Sequence, residues 1–185
     1  MIRSLAAQCA SIVAERVGFF AEFHVQPMSE RGLEPANGVM AAAEYFDGEE
    51  VISCVFACAE QSSLIPIFMG VPPLGDIDAV FAAVLRGSLL GSPSMAAHHT
   101  LQLIGSRFFE SEGIAGAALL PAATLGYLGK LPRPWFADDG VSREFLLPVF
   151  LDEAEYTLAR TDMAELMDEL DRRARDLMSV RRRFC

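Results

Sequence analysis

The dipeptide Asp47-Gly48 separates two runs that are rich in apolar and β-branched residues, 39–46 (VMAAAEYF) and 50–58 (EVISCVFAC). Asp-Gly supplies the positive φ angles of a tight hairpin turn, so the two runs are predicted to pair as an antiparallel hairpin. Around that hairpin the hydrophobic period alternates between helix and strand. Leu5, Cys9, Ile12, Val13 and Val17 recur at helical spacing over residues 4–18. Ala21, Phe23 and Val25 alternate with polar neighbours over residues 19–25, the period of a half-buried strand. Residues 28–38 are rich in turn formers. Residues 64–69 add a short strand, which Pro66 is expected to confine to an edge or a bulge.

The second half reads less evenly. Residues 76–90 make the best helix, with Ile77, Val80, Phe81, Val84 and Leu85 on one face, Asp76 as N-cap and Gly91 closing the end. A further helix is predicted from Ser92, with Pro93 in its first turn and Ala97, Leu101, Ile104 and Phe108 on one face. Residues 100–104 also fit a strand. Strands are predicted over 115–120, 124–128 and 144–151, with Pro148 at a bulge or edge of the last, and a loop over 132–140. Asp152 and Glu155 have capping-box spacing at the start of a helix. Thr161 is the expected cap of another, whose buried stripe is Met163, Leu166, Met167, Leu170, Ala174 and Leu177. Hairpin strands, then helices, then more strands and a terminal helix define a single α+β domain over residues 1–185. Its sheet is expected to be mixed, mainly antiparallel and packed against helices.

At 185 residues the chain can bury roughly 70% of its unfolded surface, so it folds without disulfides or metal. The net charge is −10 and unevenly spread. Residues 172–185 hold six arginines and one aspartate, a local +5, which leaves −15 on the rest. An acidic body is a poor ligand for phosphate backbones, so nucleic acid is not an expected partner. An early Glu15-Arg16 interrupts any signal-like core, and no run of 18 uncharged apolar residues exists. A cytoplasmic chain with reduced thiols and no membrane contact is the resulting expectation. Cys54 and Cys58, on one face of a strand about 13 Å apart, are too distant to share a metal and read as small core residues.

No catalytic or cofactor motif is present. His98 and His99 are adjacent, so on a helix they point about 100° apart and cannot share a metal, and His24 stands alone. The glycines fit neither phosphate-binding pattern, and no nucleophile elbow occurs. No cofactor or metal is therefore expected. The acid pairs Glu49-Glu50, Glu110/Glu112, Asp138-Asp139 and Asp152-Glu153 are explained by turns and caps, although convergence into a catalytic cleft is invisible at this level. Trp135, the one tryptophan, sits in a proline-flanked loop and has two readings, an anchor on the core or an exposed interface residue. The expected partner-binding residues are Glu49, Glu50, Asp138, Asp139, Asp152 and Glu153, with Trp135 as the apolar anchor.

The stretch 116–121 (GAALLP), a proline-bearing loop ending in Asp139-Gly140, residues 143–150 (REFLLPVF), 152–158 (DEAEYTL) and 163–170 (MAELMDEL) together resemble the bacterial suppressor-of-fused-like family over about residues 114–172. In that family a strand ending near a proline precedes a second strand, an acidic helix start and a helix rich in Leu and Glu. The resemblance implies an α+β fold and noncatalytic protein binding. Bacterial members are thought to act often as immunity proteins that neutralise a toxin, and animal members sequester a transcription factor. An acidic body suits a basic protein partner. Two other classes stay open: a secretion-chaperone-like homodimer, on the acidic pI and amphipathic first helix, and a small hydrolase using an unrecognised carboxylate or histidine site.

Overall fold

The computed structural model describes residues 2–172 apart from 19, 21, 47, 93–96 and 125. Helix α1 (Ile2–Val17) leads into β1 (His24–Pro27), β2 (Gly38–Phe46), β3 (Val51–Ala59) and β4 (Leu64–Gly70). Then follow α2 (Ile77–Leu89), β5 (His99–Gln102), the short α3 (Arg107–Ser111), β6 (Gly116–Pro121), β7 (Trp135–Phe136) and β8 (Ser142–Leu151). Helices α4 (Glu153–Thr161) and α5 (Met163–Arg172) close the described chain.

The strands form one sheet in the order β1-β2-β3-β4-β8-β6-β5, with the two-residue β7 laid against the start of β8. Every pairing is antiparallel except that between β4 and β8. The fold is therefore α+β with a mixed, mainly antiparallel sheet. The expected hairpin is present: Phe46 pairs with Val51 and Val39 with Cys58, and Gly48 takes φ +105°. Asp47 itself lies outside the described residues.

Alternate residues of the hairpin serve two helices. Cys58 meets Cys9 of α1, while Met40, Ala42 and Val55 lie beside Ile77 and Asp78 at the start of α2. Helices on both faces explain why Ser53–Ala59 is buried without alternation. Helix α1 buries Leu5, Cys9, Val13 and Val17 as expected, and α2 buries its five expected residues.

Several local expectations fail for tertiary reasons. Pro66 is not at an edge, because β4 is central. Its ladder with β3 covers Ile67–Gly70 and its ladder with β8 covers Leu64–Pro66, so the missing N–H falls where the strand changes partner. Pro148 likewise stands in a central strand. The β4 ladder of β8 ends at Leu146, and at Pro148 the only described ladder is with β6. The strand expected over 19–25 begins only at His24, and Val25 is exposed because β1 is a sheet edge. The helix expected from Ser92 to Phe108 is replaced by β5 and α3, with Ile104 79% exposed between them. Pro93 lies outside the described residues. Pairing of His99–Gln102 with β6 outweighs a helical period that the sequence carried equally well.

Where a strand was expected over 124–128, the described residues form 3-10 turns, Ala122–Thr124 and Gly126–Lys130, and they bury Leu128, with Leu131 following three residues on; residue 125 lies outside the described residues. Within the loop expected over 132–140, Trp135–Phe136 pairs with Arg143 and Ser142. Asp76 makes no side-chain cap to α2; its carboxylate instead accepts the Ser106 hydroxyl. The cap of α5 is Asp162, whose Oδ1 accepts the Glu165 amide at 2.9 Å, whereas the Thr161 hydroxyl donates back to the carbonyls of Thr157 and Leu158. Ala174 and Leu177, and the arginines from Arg173 onward, lie outside the described residues.

Candidate protein-binding surface

Strand direction sorts the expected site residues to two ends of the sheet. Strand β8 starts beside β7 and ends at Leu151, ten residues and about 30 Å later. Strand β4 runs parallel to it and β3 antiparallel to β4, so the β2–β3 turn lies at the end where β8 gives way to Asp152. Glu49, Glu50, Asp152 and Glu153 thus share one end. Trp135, Asp138 and Asp139 are at the opposite end.

At the Asp139 end, the acids and the tryptophan are tied into the fold. Arg143 is wholly buried, and its two terminal nitrogens donate to the two Asp139 carboxylate oxygens, each at 2.6 Å. The Arg143 guanidinium, together with the Val141 amide, pulls the Asp139 carboxyl down from 3.8 to about 2. Gln8 of α1 holds the neighbouring residue from both sides: its Nε2 donates to Asp138 Oδ2 at 2.8 Å, and the Asp138 amide donates to its Oε1 at 3.2 Å. Trp135 is half-buried and stacked on Phe145, with ring centroids 6.3 Å apart and planes 18° apart. Of its two readings, the core anchor matches this packing. Arg143 was missed as a structural residue. Its signal was the one charge in REFLLPVF besides Glu144, four residues after an aspartate.

At the Asp152 end, Asp152 and Glu155 form the expected capping box: each side chain accepts the other's backbone amide, at 2.9 and 3.0 Å. Glu49, Glu50 and Glu153 are exposed. Gln102 pairs with Gly116, and Gly116 with Leu151, so the β5–β6 connection, residues 103–115, comes to the same end. It brings Glu110 and Glu112 and one base, Arg107. Glu49, Glu50, Glu110, Glu112, Asp152 and Glu153 thus place six carboxylates at this end, and Asp76 of the β4–α2 connection, which accepts the Ser106 hydroxyl, adds a seventh, against the guanidinium of Arg107. The same end also exposes four large apolar residues: Phe46, Val51 and Val71, which the sequence reading did not single out, and Ile104, which it placed on a helical face. Nothing in their spacing marks them, since Phe46 and Val51 continue the alternation of a half-buried strand.

The remaining candidates for chemistry are spread out. Cys9, Cys54 and Cys58 are buried free thiols. Burial pushes Cys54 up to about 12, and contact with Cys58 together with burial raises Cys9 further, so both stay protonated near neutral pH. His24, His98 and His99 are exposed, and His99 Nδ1 lies 3.2 Å from the Ala97 carbonyl oxygen. Among the described residues no group of three or more His, Cys, Asp or Glu is placed to hold a metal ion, and no helix is long and apolar enough to cross a membrane.

No family model matches the chain, and no curated protein matches it. Its fold is similar to the crystal structure of a protein described as a suppressor of fused (SUFU) homologue from Neisseria gonorrhoeae. The TM-score is 0.67 at 11% sequence identity, over 98% of this chain and 94% of that one. The two chains share a fold across nearly their whole length, well beyond residues 114–172.

Proposed function

We propose that the chain is a noncatalytic, cytoplasmic protein-binding module of the suppressor-of-fused-like kind, and that its partner is a basic protein. The observation that carries this reading is the segregation of charge: seven carboxylates, among them Glu49, Glu50, Asp152 and Glu153, against the guanidinium of Arg107 at the Asp152 end of a sheet with the suppressor-of-fused-like fold. A field of one sign steers an oppositely charged protein and raises its association rate. Immunity to a basic toxin is the specific form this role takes in the reading. The bacterial resemblance and the acidity of the body support it.

The test is a binding titration against the product of the neighbouring gene at low and high salt. Association is expected to slow several-fold as the Debye length contracts below about 8 Å. Affinity and association rate that ignore salt would remove the basic-partner reading. A substrate turned over by the purified chain would remove the noncatalytic one.

A further inference from the structure

The geometry points to the tip of the β2–β3 hairpin as the docking surface for a basic partner, with Phe46 and Val51 as its apolar anchor. This inference rests on the protein-binding reading and assigns its surface.

Phe46 and Val51 are register partners, so their side chains stand on one face with Cβ atoms about 5 Å apart. That is the face α2 covers further along, where Met40 and Val55 are buried, while Ala42 between them and the tip is already exposed. Beyond the start of α2 the cover stops. Phe46 is 64% exposed and Val51 is exposed beside it. Val71 is exposed just past the end of β4, one residue after Gly70, which pairs with Ser53. Phe46 and Val51, facing the same way across the hairpin tip, form an exposed apolar pair rather than scattered exposures, and Val71 is exposed at the same end of the sheet.

The charge around the patch selects the occupant. Residues 38–59 contain four acids and no lysine or arginine, and Glu44, Glu49 and Glu50 are exposed on the hairpin. Asp152 and Glu153 extend the same sign at that end of the sheet. An apolar centre with a one-signed rim is the anatomy of an interface hot spot, here for a surface that presents an apolar side chain among lysines or arginines.

The test uses the full chain, labelled with 15N, and a synthetic 12-residue peptide alternating Arg and Leu. A counterpart with Glu in place of Arg is the control. Amide shifts are expected to concentrate in residues 44–51, 71 and 152–153. Phe46→Ser and the pair Glu49→Lys/Glu50→Lys are each expected to weaken binding about tenfold or more. Phe136→Ser removes a phenylalanine that is more exposed still, at the opposite end of the sheet, and is expected to leave binding unchanged.

Equal losses from Phe46→Ser and Phe136→Ser, or shifts centred on residues 138–143, would overturn the assigned surface and leave the protein-binding reading standing. Equal binding of the Glu peptide, or no binding of either peptide, would overturn both. Shifts at the tip that grow with protein concentration alone would make a second copy the occupant. Shifts there on reversing Arg181, Arg182 and Arg183, without peptide, would make it the chain's own C-terminus. Either result overturns the assignment to a partner.

Discussion

Arg143 and Asp139 form a two-pronged ion pair across a turn, with the guanidinium wholly buried and the carboxylate about one quarter exposed. The arrangement is asymmetric. Water can reach the acid but not the base, so Asp139 is the only described carboxylate neutralising Arg143. Removing the acid would strand a charge in the interior, whereas removing the base would leave an exposed carboxylate that water solvates.

The two halves of that pair should therefore respond differently to substitution. Asp139→Ala is expected to lower the thermal midpoint by roughly 5–10 °C, and Arg143→Met by much less. Differential scanning calorimetry on the two variants and the double variant checks this. A smaller loss in Asp139→Ala than in Arg143→Met would contradict the asymmetry.

The same contact predicts a pH window. Asp139 is depressed to about 2 in the folded chain, so it contributes stability that is fully present above its unfolded value, near 3.8. That contribution is lost as pH falls through the folded value. Between about pH 4 and 2 the wild-type midpoint should fall more steeply than that of Asp139→Asn, which has no proton to take up. Parallel curves for the two proteins over that range would remove Asp139 as a source of acid lability.

Gly116 has no left-handed backbone to explain it; its neighbours do. A Cβ there would press into the Tyr156 ring and lie 2.7 Å from the Leu101 carbonyl oxygen. Tyr156 could shift, but the backbone oxygen belongs to the β5–β6 ladder. Gly116→Ala is expected to cost about 1–3 kcal/mol, read from denaturant unfolding. Gly129→Ala meets only the Ala123 carbonyl oxygen, at an ordinary 3.7 Å, and should cost less.

Helix α4 offers a smaller and cleaner measurement. Asp152→Ala removes the acceptor for the Glu155 amide and should cost about 1 kcal/mol, while Asp152→Asn should retain most of the cap. Chemical denaturation of both variants decides it, and equal losses would show that the charge rather than the cap matters.

The elements legible in sequence were those whose cause lies within a few residues. The Asp47-Gly48 hairpin, the buried stripe of α2 and the Asp152–Glu155 box depend on contacts two to four positions apart, or on one turn, and all three formed where expected. Buried Cys54 and Cys58 follow from the same strand period. Residues 100–104 mark the limit of that kind of signal. Their pattern fits helix and strand equally, and pairing with β6, itself held by β8, selected the strand. Pro66 and Pro148 show the limit too, since the position of a strand within the sheet is set by its neighbours and not by its own residues.

The site residues divide along the same line. Acidity and the identity of each acid are properties of the sequence. Their division between two ends of the sheet comes from the parallel pairing of β4 with β8, which joins segments about 80 residues apart. That register also spends Asp139 on Arg143 and leaves Phe46 beside Val51 beyond the reach of α2. Local chemistry determined the hairpin turn, the buried stripe of α2 and the cap of α4. Only long-range packing decided which charges are internal partners and which apolar side chains are left facing water, because burial is a property of what the rest of the chain covers.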